Sequence, residues 1–558
     1  MTTPFQVFGG NAAAPFVLKL HRGEGMVLLA MDWKTARPPD NFVGIAIAYK
    51  PPGAPDFFEL KNRLSFDDAS PSSSAARSPR FDASVSPIQK FRWVHFPFRP
   101  SQTGAFTYRV TPMSMKPDGS LTKGKAQTAK ITLGDETYPG QLNIAFTRGY
   151  VSSQAFVDRY LNEGSIATLL PEKADDGLVF VPTHPKAADA REWMGFEARR
   201  AVLGVLDAAL ADPTAQVGVV AYDLNQPEML TRLEALGPRL RIIIDDSHPH
   251  GEAHSAETQA AARLIPSAGA ANVQRQHMGG LQHNKSIVVD GATAKHAVGG
   301  STNFSWRGMF VQSNNAVVLT GAAAIVPFAA AFEGYWSDAR TFRRQPPVQW
   351  VALGLGGIDA SVCFSPHGDA TLRLPEMAAS IDGATSSLFY SLAFLSQTGG
   401  VVTTAVENAT ARADLFTYGM SDRRKGITLV RPDGNPQPVF AEALTGNVPE
   451  PFRSEPTSLA GGVGTRMHHK FIVVDFDTPN ARVYTGSHNA SPAADRSNGE
   501  NLLMLRDRRI ATSYMIEALR IFDHYSFRIA RKKGGRYRRA ADAQATAVGT
   551  GRAAVVRP

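Results

Sequence analysis

The sequence predicts an α/β fold: two similar α/β halves preceded by an N-terminal β-sandwich-like domain. Three observations predict it. Residues 1–140 carry short runs rich in Val, Ile, Phe, Tyr and Trp, punctuated by Gly, Pro, Asp and Ser. From about residue 141 strand and helix patterns alternate. Blocks of the first alternating stretch then return in the second. QHNKSIVVDG (282–291) is echoed by HHKFIVVDF (468–476), and GGSTNFS (299–305) by TGSHNAS (485–491). The shift from His283 to His468 and from Asp290 to Asp475 is 185 residues, and from Asn303 to Asn489 it is 186. A constant shift over several blocks marks an internal duplication with one gap, and its period is far too long for a solenoid.

In chain order, PFVLKL, GMVLLAMDW, FVGIAIAYK, FRWVHFPF, AFTYRVTPM and AQTAKITLG read as antiparallel strands of a sandwich. Trp33, Phe91 and Trp93 could form a binding face, but large aromatics are buried on average, so they read as core. The Ser/Pro/Ala-rich stretch 67–87 reads as a mobile loop. FEARRAVLGVLDAALAD spaces its apolar residues as a helix does, and QVGVVAYDL and RLRIIIDD read as buried strands. VFVPTHP (179–185) is echoed by VCFSPHG (362–368), which puts His184 and His367 at equivalent strand ends with a structural role. The expected boundaries are 1–140 for the β domain, 141–350 and 351–530 for the halves, and 531–558 for a basic, disordered tail.

Composition narrows the class. With 558 residues, 43% hydrophobic and 20% charged, the chain can bury several cores. Its one cysteine, Cys363, excludes an intramolecular disulfide framework and a Cys-based zinc site, and it reads as a small core residue. The first residues show no secretory signal. Ala316 to Phe332, the most apolar stretch, is broken by Gly321 and Pro327, so a cytoplasmic protein is expected. The net charge of +9 is unevenly placed: Arg531 to Arg539 carries six cations and no acid, and residues 1–530 hold only +2. The tail could touch an anionic membrane surface or nucleic acid, or simply be solvated.

The repeated element is His-x-Lys-x4-Asp followed by Gly-Ser-x-Asn. Its copies are His283, Lys285, Asp290, Ser301, Asn303 and His468, Lys470, Asp475, Ser487, Asn489. In a strand, residues i and i+2 share a face, so each His projects beside a fixed cation. Asp, seven residues on, faces the other way and reads as an anchor. Gly-Ser-x-Asn supplies a tight turn, a hydroxyl and an amide. Two Lys and two Asn converging would cradle the nonbridging oxygens of one phosphate. An imidazole near pKa ~6.5 attacks when neutral and donates a proton when charged, as phosphodiester cleavage requires.

These two motifs identify a resemblance to the phospholipase D superfamily, over roughly residues 141–530. The resemblance implies two halves packed face to face around one active site at their interface. It implies metal-independent cleavage of a phosphodiester through a covalent phosphohistidine, with no cofactor. It carries His283, Lys285, Asp290 and Asn303, and His468, Lys470, Asp475 and Asn489, into that site, with Ser301 and Ser487 near the phosphate. The gap from Asp to Gly-Ser is nine residues in the first copy and ten in the second, longer than usual, which implies a longer hairpin.

Glu500, in NGEN, lies eleven residues after Asn489, and the matching residue of the first half is Asn314. In nucleases resembling the second half, the glutamate orients a histidine. A carboxylate favours the charged imidazole, so this reading places Glu500 beside His468 as general acid and leaves His283 as nucleophile. His248, His250 and His254, without nearby Cys, read as a loop rather than a metal site. Arg148, Tyr150 and Tyr222 are weaker candidates for substrate contact.

The expected substrate is a phosphodiester. Unlike halves in one chain and a near-neutral body favour hydrolysis or transfer of a phospholipid head group. The NGEN ending and the basic tail speak for a nuclease acting on DNA or RNA. A non-catalytic lipid- or nucleic-acid-binding protein is the third reading. One chain supplies both halves of a site, so a monomer suffices.

Overall fold

A computed structural model of the chain describes residues 4–62, 81–97, 99, 101–149, 153–395, 398, 400–422, 429–430, 436–437, 439–440 and 467–532. Most of the Ser/Pro-rich stretch, Tyr150 and the tail beyond Lys532 lie outside these residues. The chain divides into a unit of Met1–Asp135 together with Ile529–Pro558 and a unit spanning Glu136–Arg528.

The first unit is built from antiparallel strands, in one two-stranded pair, Lys61–Asn62 with Phe81–Asp82, and two larger sheets. One runs in the order Gln6–Phe8, Phe16–Gly23, Met26–Trp33, Arg92–His95; the other centres on Gly104–Met115, paired with Phe42–Lys50, Leu121–Lys123 and Gln127–Leu133. Strand Gln127–Leu133 alternates buried and solvent-facing residues, as period-2 patterning demands. Phe16, Leu18, Leu20, Leu29, Ile45, Ile47, Phe106, Tyr108 and Val110 form the core between the sheets. Trp33, Phe91 and Trp93 are half-buried and pack on its edge, with the Trp33 and Phe42 rings 5.0 Å apart.

The second unit holds two large sheets whose strands follow the same order, the second with one extra edge strand. The first sheet runs Leu142–Phe146, Asn315–Thr320, Lys295–Gly300, Lys285–Asp290, Gln216–Ala221, Leu240–Ile244, Val273–Arg275. The second runs Val351–Ala352, Asp359–Ser365, Glu500–Arg506, Arg482–Gly486, Lys470–Val474, Ser387–Leu392, Phe416–Ser421, Val439–Phe440. In each, the motif strand is antiparallel to its neighbour on both sides, and the next two strands are parallel to each other. A parallel pair needs a crossover, and the helices Pro227–Leu236 and Gly400–Ala411 supply it. The duplication seen in the sequence is therefore a duplication of topology.

The sheets meet across the strands that carry the repeated motifs. Tyr335 Oη donates to Ser365 O at 2.6 Å, and the Phe328 and Phe364 rings meet edge to face at 5.2 Å. His468 N donates to Ser313 O at 3.0 Å, and Gly499 N to Leu281 O at 2.8 Å. No helix among the described residues is long and apolar enough to cross a membrane.

Candidate active site

Each motif histidine lies just before its strand, which begins at the lysine, Lys285 or Lys470. The lysine turns back on the histidine two residues earlier. Lys285 Nζ donates to His283 O, and Lys470 Nζ donates to His468 O at 2.9 Å and lies 3.0 Å from His468 Nε2. A carboxylate from a neighbouring strand end holds the peptide ahead of each histidine. Asp245 Oδ1 accepts from Gln282 N at 2.7 Å, and Asp422 Oδ1 from Met467 N at 3.0 Å.

The Gly-Ser-x-Asn turns lean on the strand that follows them. Gly300 (φ +121°) and Gly486 (φ +146°) occupy backbone that disfavours a side chain, and a Cβ there would strike the carbonyl of Asn315 or Asn501. Ser301 Oγ accepts from Asn315 N, and Ser487 Oγ from Asn501 N, both at 3.0 Å. Both serines are wholly buried, and their oxygens hold strands together, which leaves one O–H each for any further use. Asn303 Nδ2 donates to Asp223 Oδ2 at 2.7 Å, and the buried Oδ1 atoms of Asn303 and Asn489 have no partner among the described residues.

The histidines are held from opposite halves, and here the structure corrects the sequence reading. Glu500 bonds to His283, not to His468: its oxygens lie 2.7 and 2.9 Å from His283 Nδ1. Asn314 takes the equivalent place at His468, with Oδ1 2.9 Å from Nδ1. The reason is topological. Within its own sheet, Glu500 is separated from the His468 strand by Arg482–Gly486, whereas the sheet-to-sheet contact brings it to the other half. Asn498 Nδ2 also donates to Glu500, at 3.2 Å. Asn314 Nδ2 donates to Gly308 O at 2.8 Å, which aims its oxygen at His468. Further cross-links repeat the pattern: Asn501 Nδ2 donates to Asn284 Oδ1 at 2.8 Å, and Asn501 Oδ1 accepts from Gly300 N at 3.1 Å.

The electrostatics follow from burial. His283, Lys285, His468, Lys470 and Glu500 are each at most 5% exposed. Burial pushes His283 below the ordinary imidazole value, partly offset by Glu500. Burial, then Lys470 and Lys285, push His468 well below it. Lys285 is lowered to about 8 by burial against the pull of Glu500, and Lys470 lies well below its usual value through burial and Lys285. Burial alone would raise Glu500, but His283 and Lys285 bring it below its usual value. The groups facing one another are two imidazoles and two lysines whose charged forms burial disfavours, and an entering anion would favour those charged forms.

The motif aspartates stand apart from these groups. Asp475 accepts from Thr385 N, Ser386 N and Ser387 N between 2.7 and 3.1 Å, and so pins the neighbouring strand. Asp290 is exposed and pairs with Lys295 at 2.5 Å; the equivalent anchor in its half is Asp212, which accepts from Thr293 N and Ala294 N. His184 bonds to Tyr160 O and Lys186 N. His367 bonds through Nδ1 to Asp495 at 2.8 Å. Arg148 stacks on Trp193, 4.0 Å from the ring centre. Cys363 is buried, its thiol pushed up to about 12.

Tyr222 is a candidate for substrate contact in the sequence, whereas Asp223, Asp245 and Asp422 went unseen there. Tyr222 stands edge to face with both His283 (4.7 Å) and His250 (4.5 Å), and Lys285 Nζ lies 4.5 Å from its ring centre. His250, read as part of a loop, turns inward between Asp245 and Asp223, while His248 and His254 are exposed. Asp245 and Asp422 are 177 residues apart, outside the constant offset, so the repeat did not expose them. Two groups among the described residues bring three metal-ligating side chains together: Asp223, His250 and Glu257, and His367, His488 and Asp495.

The fold and the site define a class: a duplicated α/β protein whose halves each bring a His-x-Lys pair to their common interface. The family model described as cardiolipin synthase, PLD-like domain, matches residues 208–336 and 426–521, a stretch from each half. A protein named phospholipase D from Rickettsia prowazekii is 27% identical over 117 residues, 20% of this chain and 55% of that one. A phospholipase D from Rickettsia felis is 42% identical over 48 residues, 9% of this chain and 22% of that one. The chain thus spans at most about half the length of these relatives. Among solved structures, phosphatidylserine synthase from Haemophilus influenzae is 11% identical with a TM-score of 0.38, covering 59% of this chain and 83% of that one. Nuc, a phospholipase D family member from Salmonella typhimurium, is 21% identical with a TM-score of 0.18, covering 31% and 93%. These matches support the phospholipase D superfamily for the two matched stretches, one from each half.

Proposed function

We propose that the protein is a phosphodiesterase that cleaves its substrate through a covalent phosphohistidine on His283. The observation that carries this reading is the pair of imidazoles held across the interface by unlike partners, Glu500 at His283 and Asn314 at His468. A carboxylate accepts only, so His283 Nδ1 holds the ring proton and Nε2 keeps its lone pair. That lone pair attacks phosphorus, the bond from phosphorus to the leaving oxygen breaks, and the leaving oxygen takes a proton from His468 Nε2. Glu500 offsets the positive charge that develops on the His283 ring, as a carboxylate does for a histidine base. His468, with a neutral amide partner, stays the stronger acid. Burial, then the charges of Lys470 and Lys285, hold it neutral in the free site, and it gains its proton as the phosphate anion offsets those charges. In the second step His468 takes a proton from water or an alcohol, the oxygen attacks phosphorus, and the bond from phosphorus to nitrogen breaks. The two lysines face the nonbridging oxygens throughout.

The substrate we favour is a phospholipid, with hydrolysis or transfer of its head group. The names of the Rickettsia relatives and of the matching family model support this, as does a body near neutrality up to residue 530. Nucleic acid is the second reading, favoured by the six cations of Arg531 to Arg539. The test is to quench turnover of a slow chromogenic phosphodiester in alkali and map the adduct by mass spectrometry. The adduct is expected on His283 and absent in His283→Ala; an adduct on His468 reverses the roles. Phosphatidylcholine vesicles and single- and double-stranded DNA, assayed in parallel, separate the substrates: cleavage of DNA alone overturns the lipid reading.

A further inference from the structure

Beside the histidine pair lies a second cluster that the proposed chemistry does not use. It sits at the carboxyl ends of the parallel strands Gln216–Ala221 and Leu240–Ile244, where open α/β sheets gather their ligands. Asp223 follows the first strand, His250 lies in the loop after the second, and Glu257 stands in the first turn of helix Ala256–Ala268. Each offers a ligand atom within 4.8 Å of the other two.

Three features make this a coordination set. His250 Nδ1 donates to Asp245 Oδ2 at 2.8 Å, and Asp245 is wholly buried and fixed by Ser247 N. A metal-bound histidine almost always donates its other ring N–H to a carboxylate in this way, which leaves Nε2 for the ion. Second, Nε2 lies 3.4 Å from Asp223 Oδ1. That is about the edge of a tetrahedron with bonds of about 2.0–2.1 Å to its corners. Third, Glu257 is 5% exposed and its Oε1 accepts from Leu224 N at 3.1 Å, while Oε2 takes no hydrogen bond from a described residue. Two carboxylates held this close together, Glu257 and Asp223, repel each other unless a cation stands between them.

We propose that Asp223, His250 and Glu257 bind one first-row divalent cation, Zn²⁺ or Mn²⁺, beside the phosphate site. One imidazole and two carboxylates suit these ions, with the remaining positions left to water. The ion acts on the site through Asp223, whose Oδ2 also holds Asn303 Nδ2 at 2.7 Å. It fixes the motif amide and takes no part in the exchange of bonds at phosphorus. The second-half cluster differs. His488 Nδ1 accepts from Ala490 N at 3.1 Å, so its ring proton sits on Nε2, which lies 3.6 Å from Asp495 with no hydrogen-bond partner among the described residues and offers an ion no lone pair.

The competing occupant is a proton. Without an ion, His250 bridges Asp223 and Asp245 as an imidazolium, and its pKa rises to about 10 as their hydrogen bonds and charges outweigh burial. The test uses the full chain stripped with chelator. Mn²⁺ binding is read by electron paramagnetic resonance, and Zn²⁺ by metal analysis after gel filtration. One equivalent per chain is expected, with affinity falling at least tenfold in His250→Ala and in Glu257→Gln. The isosteric Glu257→Gln carries the test should His250→Ala fail to fold. The ion should raise the melting temperature of the parent protein and leave that of Glu257→Gln unmoved. No bound equivalent, or equal binding in both variants, overturns the proposal. The His283 adduct is an independent readout: it should form in metal-free Glu257→Gln, so loss of one result does not decide the other.

Discussion

Glu500 is a wholly buried carboxylate whose two oxygens meet one ring nitrogen of a histidine from the other half. Its cost of burial is borne by that histidine and by Lys285, so its value lies in orientation and in charge matching on His283. Glu500→Gln retains the shape and loses the charge. It should lower kcat by about 10²–10⁴, as the amide swap does in other carboxylate–histidine pairs. A steady-state assay with KM measured alongside checks this: a loss confined to KM would place Glu500 in binding alone. Lys285→Met and Lys470→Met should each cost about 10²–10³, the effect of removing one donor from a charge-stabilising set. Measured rates within threefold of the parent would remove the lysines from the phosphate cradle.

At the scale of the element, the two motif aspartates separate. Asp475 collects three backbone N–H groups and the Thr385 and Ser386 hydroxyls at the end of its strand, where φ is +52°. Asp475→Ala should destabilise the protein by about 3 kcal/mol, because buried donors are left without an acceptor. Asp290→Ala removes one exposed ion pair and should change stability by less than about 0.5 kcal/mol. Chemical denaturation of both variants checks the contrast; equal effects would refute the unequal anchoring. Repeat counting in the sequence found the elements well: both motif strands, both Gly-Ser turns and the shared α/β pattern were legible because each copy kept its spacing. Partners were less legible. Glu500 was recognisable as a histidine's carboxylate, but its histidine was decided by strand order, since Arg482–Gly486 stands between it and His468 in its own sheet. Asp245, Asp422 and the inward turn of His250 left no regular spacing to find.

At the scale of the molecule, burying imidazoles and ammoniums together sets the response to acid. His283 and His468 titrate below the ordinary value when folded, so the unfolded chain binds more protons just below about pH 6.5. Their contribution to stability is present above that pH and is lost as pH falls toward the folded values. The melting temperature should therefore drop between about pH 6.5 and 5, and less steeply in His468→Gln. Inorganic phosphate or vanadate, by charging the site, should flatten the same slope. A slope unchanged by both would show that other groups govern acid sensitivity.

The like topology of the halves coexists with unlike side chains at matching places. Glu500 stands where the other half has Asn314, and Asp223, two residues beyond the pairing of Ala221 with Lys285, stands where the other half has Phe394, whose ring lies 6.3 Å from His468. An assembly of two identical subunits would have to repeat every such choice on both sides of its axis. Joining both copies in one polypeptide lifts that obligation, so acid and nucleophile can be bred for separate tasks, and each approach to the phosphorus can be shaped for a different end of the substrate.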